Sequence, residues 1–164
     1  MVSAQSTSNF ESAYVAAVAA ACESPCQKSR RGAALWHPHT AALWAATNTP
    51  AMGVCTGTEA CRSVCPRICL HAEQAVLLKA GRANGRGPQG AELLHIKVVP
   101  LDIKPFGFDS FKLVPSGPPS CAECSKLLLA AGVAGVWLFH EGGWRRYETV
   151  DFHRRTLEHL ELTQ

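Results

Sequence analysis

The first third of the chain carries the apolar pattern of a helix followed by a β-hairpin. Residues 1–8 are polar and expected to be loose, and from Asn9 apolar side chains recur at helical spacing to about residue 24. Two apolar runs follow at 32–36 and 41–47, joined by a short segment that contains two histidines and a proline. Such a pattern predicts two antiparallel strands, with both histidines as turn residues.

The second half of the chain alternates helical and strand patterns. A helix is predicted over 71–79, an apolar strand over 91–99 and, after a long connection, another helix over 121–131. The run 133–140 is continuously apolar, as a buried strand is. Strand, helix and strand in this order make parallel neighbours. We therefore expect a single domain over residues 1–164 with an α/β fold: a three-layer α/β/α sandwich around a mixed sheet of about five strands.

The chain closes with a predicted turn and a predicted amphipathic helix. The segment 142–147 combines glycines, arginines and aromatic residues, which favours a turn. Over 151–162, Phe152, Leu157 and Leu160 share one face and charged side chains occupy the other. We expect these three side chains to pack against the rest of the fold.

Composition excludes several classes of protein. Of the 164 residues 47% are hydrophobic, which suffices for a core and is too high for a disordered chain. No apolar run reaches the roughly twenty residues of a membrane-spanning helix, and no basic start before an apolar region marks a signal peptide. We therefore expect a cytoplasmic protein with no membrane partner, in which eight cysteines favour metal over disulfides. The net charge of +3 is too small to argue for nucleic-acid binding on its own.

Two short segments, fifty residues apart, carry metal-ligand chemistry. His71 offers an imidazole and Glu73 a carboxylate, and Cys121 and Cys124 later offer two thiols. Zinc binds imidazole nitrogen and thiolate sulfur, and a catalytic zinc has three protein ligands and keeps its fourth position for water. His71, Cys121 and Cys124 supply such a set, and a nearby carboxylate can move the protons. The pattern predicts metal-activated hydrolysis.

The segments 69–75 (CLHAEQA) and 119–132 (PSCAECSKLLLAAG) resemble the zinc-dependent cytidine and deoxycytidylate deaminases, and the segment 119–132 is most similar to the deoxycytidylate branch. One departure is Ser120, which stands between Pro119 and the first cysteine, where the family has Pro directly before Cys. The resemblance implies hydrolytic deamination of a cytosine-type nucleotide, dCMP to dUMP or similar. In that reaction zinc activates a water and Glu73 shuttles protons.

The resemblance also implies contacts to the substrate. In the deoxycytidylate deaminases the Asn of an Asn-Gly-x-Pro turn holds the sugar hydroxyl, and Asn48 matches it here, although Thr49 replaces the Gly and Pro50 comes one residue early. A plain turn remains the alternative. Ala72 and Ser120, which adjoin the metal ligands, are further predicted substrate contacts.

A nucleotide also requires a phosphate site, and arginine suits bidentate contact with phosphate. Arg30 and Arg31 precede the first predicted strand, beside Lys28, and Arg145 and Arg146 follow the last apolar run. Each of these side chains is a candidate for the phosphate, and each is equally compatible with solvated surface.

Four further cysteines lie just before the His71 segment: Cys55, Cys61, Cys65 and Cys69. The last three are spaced four apart, which would place them on one face of a helix, although Pro66 argues against an unbroken one. They are either small buried hydrophobic residues or ligands of an additional, structural zinc. Some deoxycytidylate deaminases carry an extra zinc in this region, which the resemblance allows.

Other functional alternatives stay open. The connection 100–119 is predicted to be a substrate lid or an oligomer contact, with a surface insertion as the alternative. His95 is predicted to be a core or sheet-face residue rather than a ligand. The expected partners are a free nucleotide and further copies of the chain. Deaminases of nucleosides, free bases or single-stranded nucleic acid share the zinc centre, and a nucleic-acid enzyme would need a basic, aromatic-lined groove. A non-catalytic zinc-binding regulatory module is the alternative of another class, and Glu73 counts against it.

Overall fold

A mixed six-stranded sheet lies at the centre of the protein, in a computed structural model that describes residues 4–83, 85, 87–100 and 111–162. Its strands are β1 (Arg30–Trp36), β2 (Leu43–Thr47), β5 (Glu92–Pro100), β6 (Phe111–Leu113), β7 (Gly135–His140) and β8 (Gly143–Glu148). A separate two-stranded ribbon pairs β3 (Thr49–Pro50) with β4 (Cys69–Leu70). The helices are α1 (Ala4–Cys22), α2 (Glu59–Ile68), α3 (Ala72–Arg82), α4 (Ala122–Ala130) and α5 (Thr149–His159).

The strand order is β2-β1-β5-β7-β8, with β6 beside the end of β5. β1 and β2 form the predicted antiparallel hairpin, and β5 and β7 form the predicted parallel pair. The prediction of a turn at 142–147 is wrong, because β8 pairs antiparallel with β7 there. Trp144 packs against Tyr14 of α1, whereas Tyr147 packs against Phe152 of α5 on the other side of the sheet. Two aromatic side chains packed on opposite faces stabilise a strand where composition suggested a turn.

Helices cover both faces of the sheet, which confirms the three-layer α/β/α arrangement. On one face α1 packs its buried alanines against Leu94 and Ile96 of β5. This contact is tight: a Cβ on Gly32 would lie 2.0 Å from the carbonyl oxygen of Ala17. On the other face α3, α4 and α5 enclose a core that includes Val76, Leu93 and Leu128.

The helices differ from the predictions in three respects: where α1 begins, whether α2 is continuous, and which side chains near the end of α5 are buried. α1 begins by Ala4 rather than at Asn9, so the polar start of the chain is helical from that residue on. α2 runs unbroken from Glu59 to Ile68 through Pro66, so the expectation of an interrupted helix is wrong. Leu160 lies just after α5 as its C-cap and is 38% exposed, so its predicted inward position is wrong; Thr156 is buried beside Phe152 instead.

Two helix N-termini and one end of the parallel strands meet on the α3–α4 face. α3 begins directly after β4, and α4 begins where the chain returns from β6. The carboxyl halves of β5 and β7 end beneath them, and in open α/β sheets ligands bind at this end of the strands. Within the residues described, no helix is both long and apolar enough to cross a membrane.

Candidate active site

Three potential metal ligands meet at the N-termini of α3 and α4. The Nδ1 atom of His71 lies 3.2 Å from Sγ of Cys124 and 3.4 Å from Sγ of Cys121. In a tetrahedral zinc site, bond lengths of about 2.0 Å to nitrogen and 2.3 Å to sulfur separate these atoms by roughly 3.6 Å. The donor types and their spacing therefore fit zinc. Across the described ranges this is the one group of three or more such side chains whose ligand atoms lie within 4.8 Å of one another.

Helix caps hold these ligands in place. His71 is the N-cap of α3, and its backbone N–H donates to Oε1 of Gln74 at 2.9 Å. Cys121 is the N-cap of α4, and its sulfur accepts the backbone N–H of Cys124 at 3.3 Å. The partial positive charge of both helix N-termini favours anionic sulfur and any anion bound in front of them.

The two thiols differ in acidity. Hydrogen bonding with Cys124 and with the ring of His71 lowers the pKa of Cys121 to about 5. The same hydrogen bond with Cys121, together with burial, raises the pKa of Cys124. Cys121 is therefore a thiolate at neutral pH, which is the form that binds zinc.

Glu73 stands beside the ligand set in the first turn of α3, with its side chain 13% exposed. Burial opposes ionisation, but the nearby rings of His95 and His71 bring the pKa of Glu73 below its ordinary value. Its Oε1 lies 3.7 Å from Nε2 of His95. Glu73 is thus a carboxylate ready to accept a proton.

A cavity of about 700 Å³ opens in front of this group, within the usual size range of small-molecule sites. Residues 114–120 form part of its wall, so this part of the predicted lid segment borders the site, whereas 101–110 lie outside the described residues. Backbone and side-chain bonds hold the wall to β7: Ser116 N–H donates to Phe139 O, and His140 Nδ1 lies 2.8 Å from Ser116 O.

The predicted sugar contact, Asn48, lines the cavity and is fixed by its own hydrogen bonds. Its Oδ1 accepts from Ser24 Oγ and from the Arg31 backbone N–H, each at 2.8 Å, and its Nδ2 donates to Ser29 O at 2.8 Å. An amide nitrogen carries two hydrogens, so one donor remains for a ligand. Ser120 also lines the cavity. Ala72 is fully buried in the core cluster and brings only its backbone to the first turn of α3.

The cationic candidates separate into two groups. Arg31 and Lys28 line the cavity, together with Lys97, which the sequence analysis did not select. Arg30 points the other way and donates to Cys22 O at 3.1 Å. Consecutive strand residues face opposite sides, so only one of the two adjacent arginines can reach the cavity.

The arginines of β8 are occupied elsewhere. Arg146 makes a bidentate pair with Glu92, at 2.7 and 2.9 Å, and also pairs with Glu148. Arg145 stacks its guanidinium over the ring of Tyr147 at 4.8 Å. Neither is among the residues that line the cavity.

His95 and Lys97 are cavity residues that the sequence reasoning passed over as functional. His95 is a buried sheet-face residue, as predicted, but its ring faces Glu73. The sequence does carry a signal for these two residues, which is the alternation of apolar and polar side chains within β5. Leu94, Ile96 and Val98 form one apolar row, whereas the other row begins at Leu93 and turns polar at 95 and 97.

Five of the six remaining cysteines form a looser group, which we call the upstream cysteine cluster: Cys26, Cys55, Cys61, Cys65 and Cys69. Cys55 Sγ lies 3.9 Å from Cys61 Sγ and accepts the Gln27 backbone N–H at 3.4 Å. Backbone N–H groups of Gln27 and Gly57 lower the pKa of Cys55, and the neighbouring side chains of Cys61 and Cys26 act in the same direction. Burial and the neighbouring Cys65 raise the pKa of Cys69 to about 11. No three of these sulfurs, all of them in described residues, lie within 4.8 Å of one another.

Solved structures share this architecture, although no protein-family model and no curated protein matches the sequence. The apo dCMP deaminase from the cyanophage S-TIM5 matches with a TM-score of 0.52 and 22% identity, over 79% of this chain and 80% of that one. A cytidine deaminase from Burkholderia pseudomallei matches with a TM-score of 0.58 and 19% identity, over 87% and 94%. The chain therefore has a cytidine deaminase-like fold, and the predicted resemblance is confirmed at that level.

Proposed function

We propose that this protein is a zinc-dependent deaminase that hydrolyses the exocyclic amine of a free cytosine-type nucleotide. One observation carries the proposal: the Glu73 carboxylate and the His71, Cys121 and Cys124 donor set border the same cavity. The cytidine deaminase-like fold supports it. A structural zinc site would need a fourth protein ligand and would not need an adjacent buried carboxylate.

The chemistry follows from the positions of these side chains. A zinc ion held by His71, Cys121 and Cys124 would lower the pKa of a bound water. Glu73 accepts a proton from the attacking water and delivers it to the ring nitrogen next to the carbon that carries the amine. Another proton reaches the leaving group through the same carboxylate, so that cytosine and water become uracil and ammonia.

Charge inside the cavity supports a phosphorylated substrate. Arg31 and Lys97 are direct cross-strand partners on β1 and β5, and both line the cavity beside Lys28. Like charges directly opposite one another destabilise a sheet unless an anion lies between them. We propose that the phosphate of the nucleotide binds at this pair, while the free Nδ2 hydrogen of Asn48 contacts the sugar.

We also propose an additional, structural zinc in the upstream cysteine cluster. The 3.9 Å separation of Cys55 and Cys61 is close to the roughly 3.8 Å between two thiolates on a tetrahedral zinc. We place Cys26 rather than Cys69 in this ligand set, because the backbone N–H and the side-chain amide of the adjacent Gln27 donate to Sγ and O of Cys55 and so bring this segment to the cluster. Cys65 is the fourth ligand.

Ammonia release tests the proposed activity directly, with cytidine, deoxycytidine, dCMP, guanine and single-stranded DNA as substrates. We expect dCMP to exceed deoxycytidine by roughly 10²-fold in kcat/KM, because without a phosphate the half-buried donors of Arg31 and Lys97 lose their anionic partner. Arg31→Met should remove this preference and spare deoxycytidine, and Arg30→Met is the matched control. Equal use of dCMP and deoxycytidine would contradict the phosphate site. Release from single-stranded DNA alone would move the enzyme to the nucleic-acid class, and no release from a zinc-loaded protein would favour the non-catalytic module.

A further inference from the structure

The polar row of β5 brings an imidazole to the buried end of the cavity. His95 lies between Ala33 of β1 and Leu138 of β7 in the sheet register, so backbone pairing on both sides fixes its position. Its side chain is 7% exposed. A polar ring held this firmly inside a core is costly unless its nitrogens find partners.

The Nε2 atom of His95 is enclosed and makes no hydrogen bond with any described residue. Oε1 of Glu73 lies 3.7 Å from this nitrogen, which is about half an ångström too far for a good hydrogen bond. Contacts of this kind are often long in ligand-free enzymes and shorten when substrate binds. The enclosed ring nitrogen and the carboxylate oxygen are therefore complementary groups that face each other across a short gap.

We propose that His95 is a positioning residue for Glu73: its Nε2–H donates to Oε1 and aims the carboxylate at the metal site. This inference rests on the proposed deaminase function and adds to it a residue outside the metal-ligand motif. Glu73 must turn between an attacking water and a ring nitrogen, and a fixed donor on one oxygen limits the rotation of the carboxylate. Burial lowers the pKa of His95 and the facing Glu73 carboxylate acts in the opposite direction, and an Nε2–H is available to donate both in the protonated ring and in the neutral tautomer that carries its hydrogen on Nε2.

The substitutions that test this idea separate positioning from structure. His95→Phe keeps the ring and removes the donor, whereas His95→Gln keeps an N–H close to the Nε2 position. We expect His95→Phe to lower kcat by about 10- to 100-fold with little change in KM, and His95→Gln to restore most of the loss. His37→Phe is the matched control, because His37 is equally buried, at 6% exposure, and does not line the cavity.

A double-mutant cycle with Glu73→Ala then identifies the partner of His95. If His95 acts through Glu73, His95→Phe costs nothing further once the carboxylate is gone. Full additivity of the two substitutions would overturn the proposal and make His95 a direct substrate contact or a packing residue.

Nitrogen NMR of the zinc-loaded protein tests the same contact without any turnover. We expect the His95 ring to be protonated at Nε2, with a resonance that shifts in Glu73→Ala and stays unchanged in the control variant Glu11→Ala. A His95 ring protonated at Nδ1 alone, or a ring-nitrogen resonance that does not shift in Glu73→Ala, would overturn the proposal. Because this readout needs no substrate, it stands even if no nucleotide is deaminated, and the failure of the activity and the failure of the His95 contact can be told apart.

Discussion

Two groups of cysteines contribute to the wall of one cavity, the upstream cysteine cluster through three of its five members, and the two groups are built differently. Cys121 and Cys124 sit at the start of α4, which packs into the central core through Leu128, and their partner His71 caps α3, which packs through Val76. The upstream cysteine cluster lies on loops, on the short strand β4 and on α2, where Val64 and Ile68 are exposed; nearby Val54 is 83% exposed. Helices that pack into the core hold the ligand atoms of His71, Cys121 and Cys124 at distances that fit a zinc ion. In the upstream cysteine cluster, the sulfurs of Cys55 and Cys61 approach to 3.9 Å, and no described group of three sulfurs is comparably close.

This difference implies different roles for the two proposed zinc ions. At the helix N-termini, folding creates the site and zinc adds chemistry. In the upstream cysteine cluster, zinc would complete the local fold, because the binding energy of a structural metal is also folding energy. Removing a ligand from the helix N-termini should therefore mainly affect activity, and removing one from the cluster should mainly affect stability.

The largest effect is expected from Cys121→Ser. Loss of this thiolate should remove one zinc per chain and lower the rate of ammonia release by at least about 10²-fold, while circular dichroism and Tm change little. Cys22→Ser is the control, since Cys22 belongs to neither group. A large fall in Tm with little change in activity would reverse the proposed roles.

Cys61→Ser is expected to have a smaller effect, and to lower stability rather than activity. Zinc analysis should fall from two ions per chain to one, with a destabilisation of about 2 kcal/mol, or roughly 4–8 °C in Tm. The His71, Cys121 and Cys124 site should keep its zinc. If the unmodified protein contains one zinc per chain, and no substitution in the cluster alters it, these cysteines are packing residues.

The smallest effect is expected from Cys69→Ser. Because Cys69 lies outside the proposed ligand set, this substitution should leave zinc content unchanged and shift Tm by less than about 2 °C. Cys26→Ser is the comparison and should behave like Cys61→Ser. If the two results are exchanged, the set predicted from sequence, with Cys69 and without Cys26, is the correct one.

The same contrast explains how much of the site could be predicted from sequence. His71, Glu73, Cys121 and Cys124 lie in two short motifs whose chemistry is local, so spacing alone located them. Cys26 reaches Cys55 only because the loop after α1 meets the loop after β3, a tertiary contact that leaves no local pattern.

Strand positions show the same limit. The β1–β2 hairpin and the parallel β5 and β7 follow from apolar runs, whereas β8 depends on Trp144 and Tyr147 packing on opposite faces of the sheet. The roles of Arg31 and Arg30 differ because one faces the cavity, and this required the register of β1. His95 and Lys97 became visible as functional candidates only when the polar row of β5 was placed opposite Glu73 and Arg31.

The most direct test of the central claim is Glu73→Ala, measured for zinc and ammonia release in the same preparation. We predict that the variant keeps the zinc content of the unmodified protein, because Glu73 is not a ligand, and loses roughly 10²-fold or more in kcat, the usual contribution of a general acid–base residue. Glu11→Ala, on the exposed side of α1, is the control and should retain both properties. Full activity in Glu73→Ala would contradict the proposed mechanism.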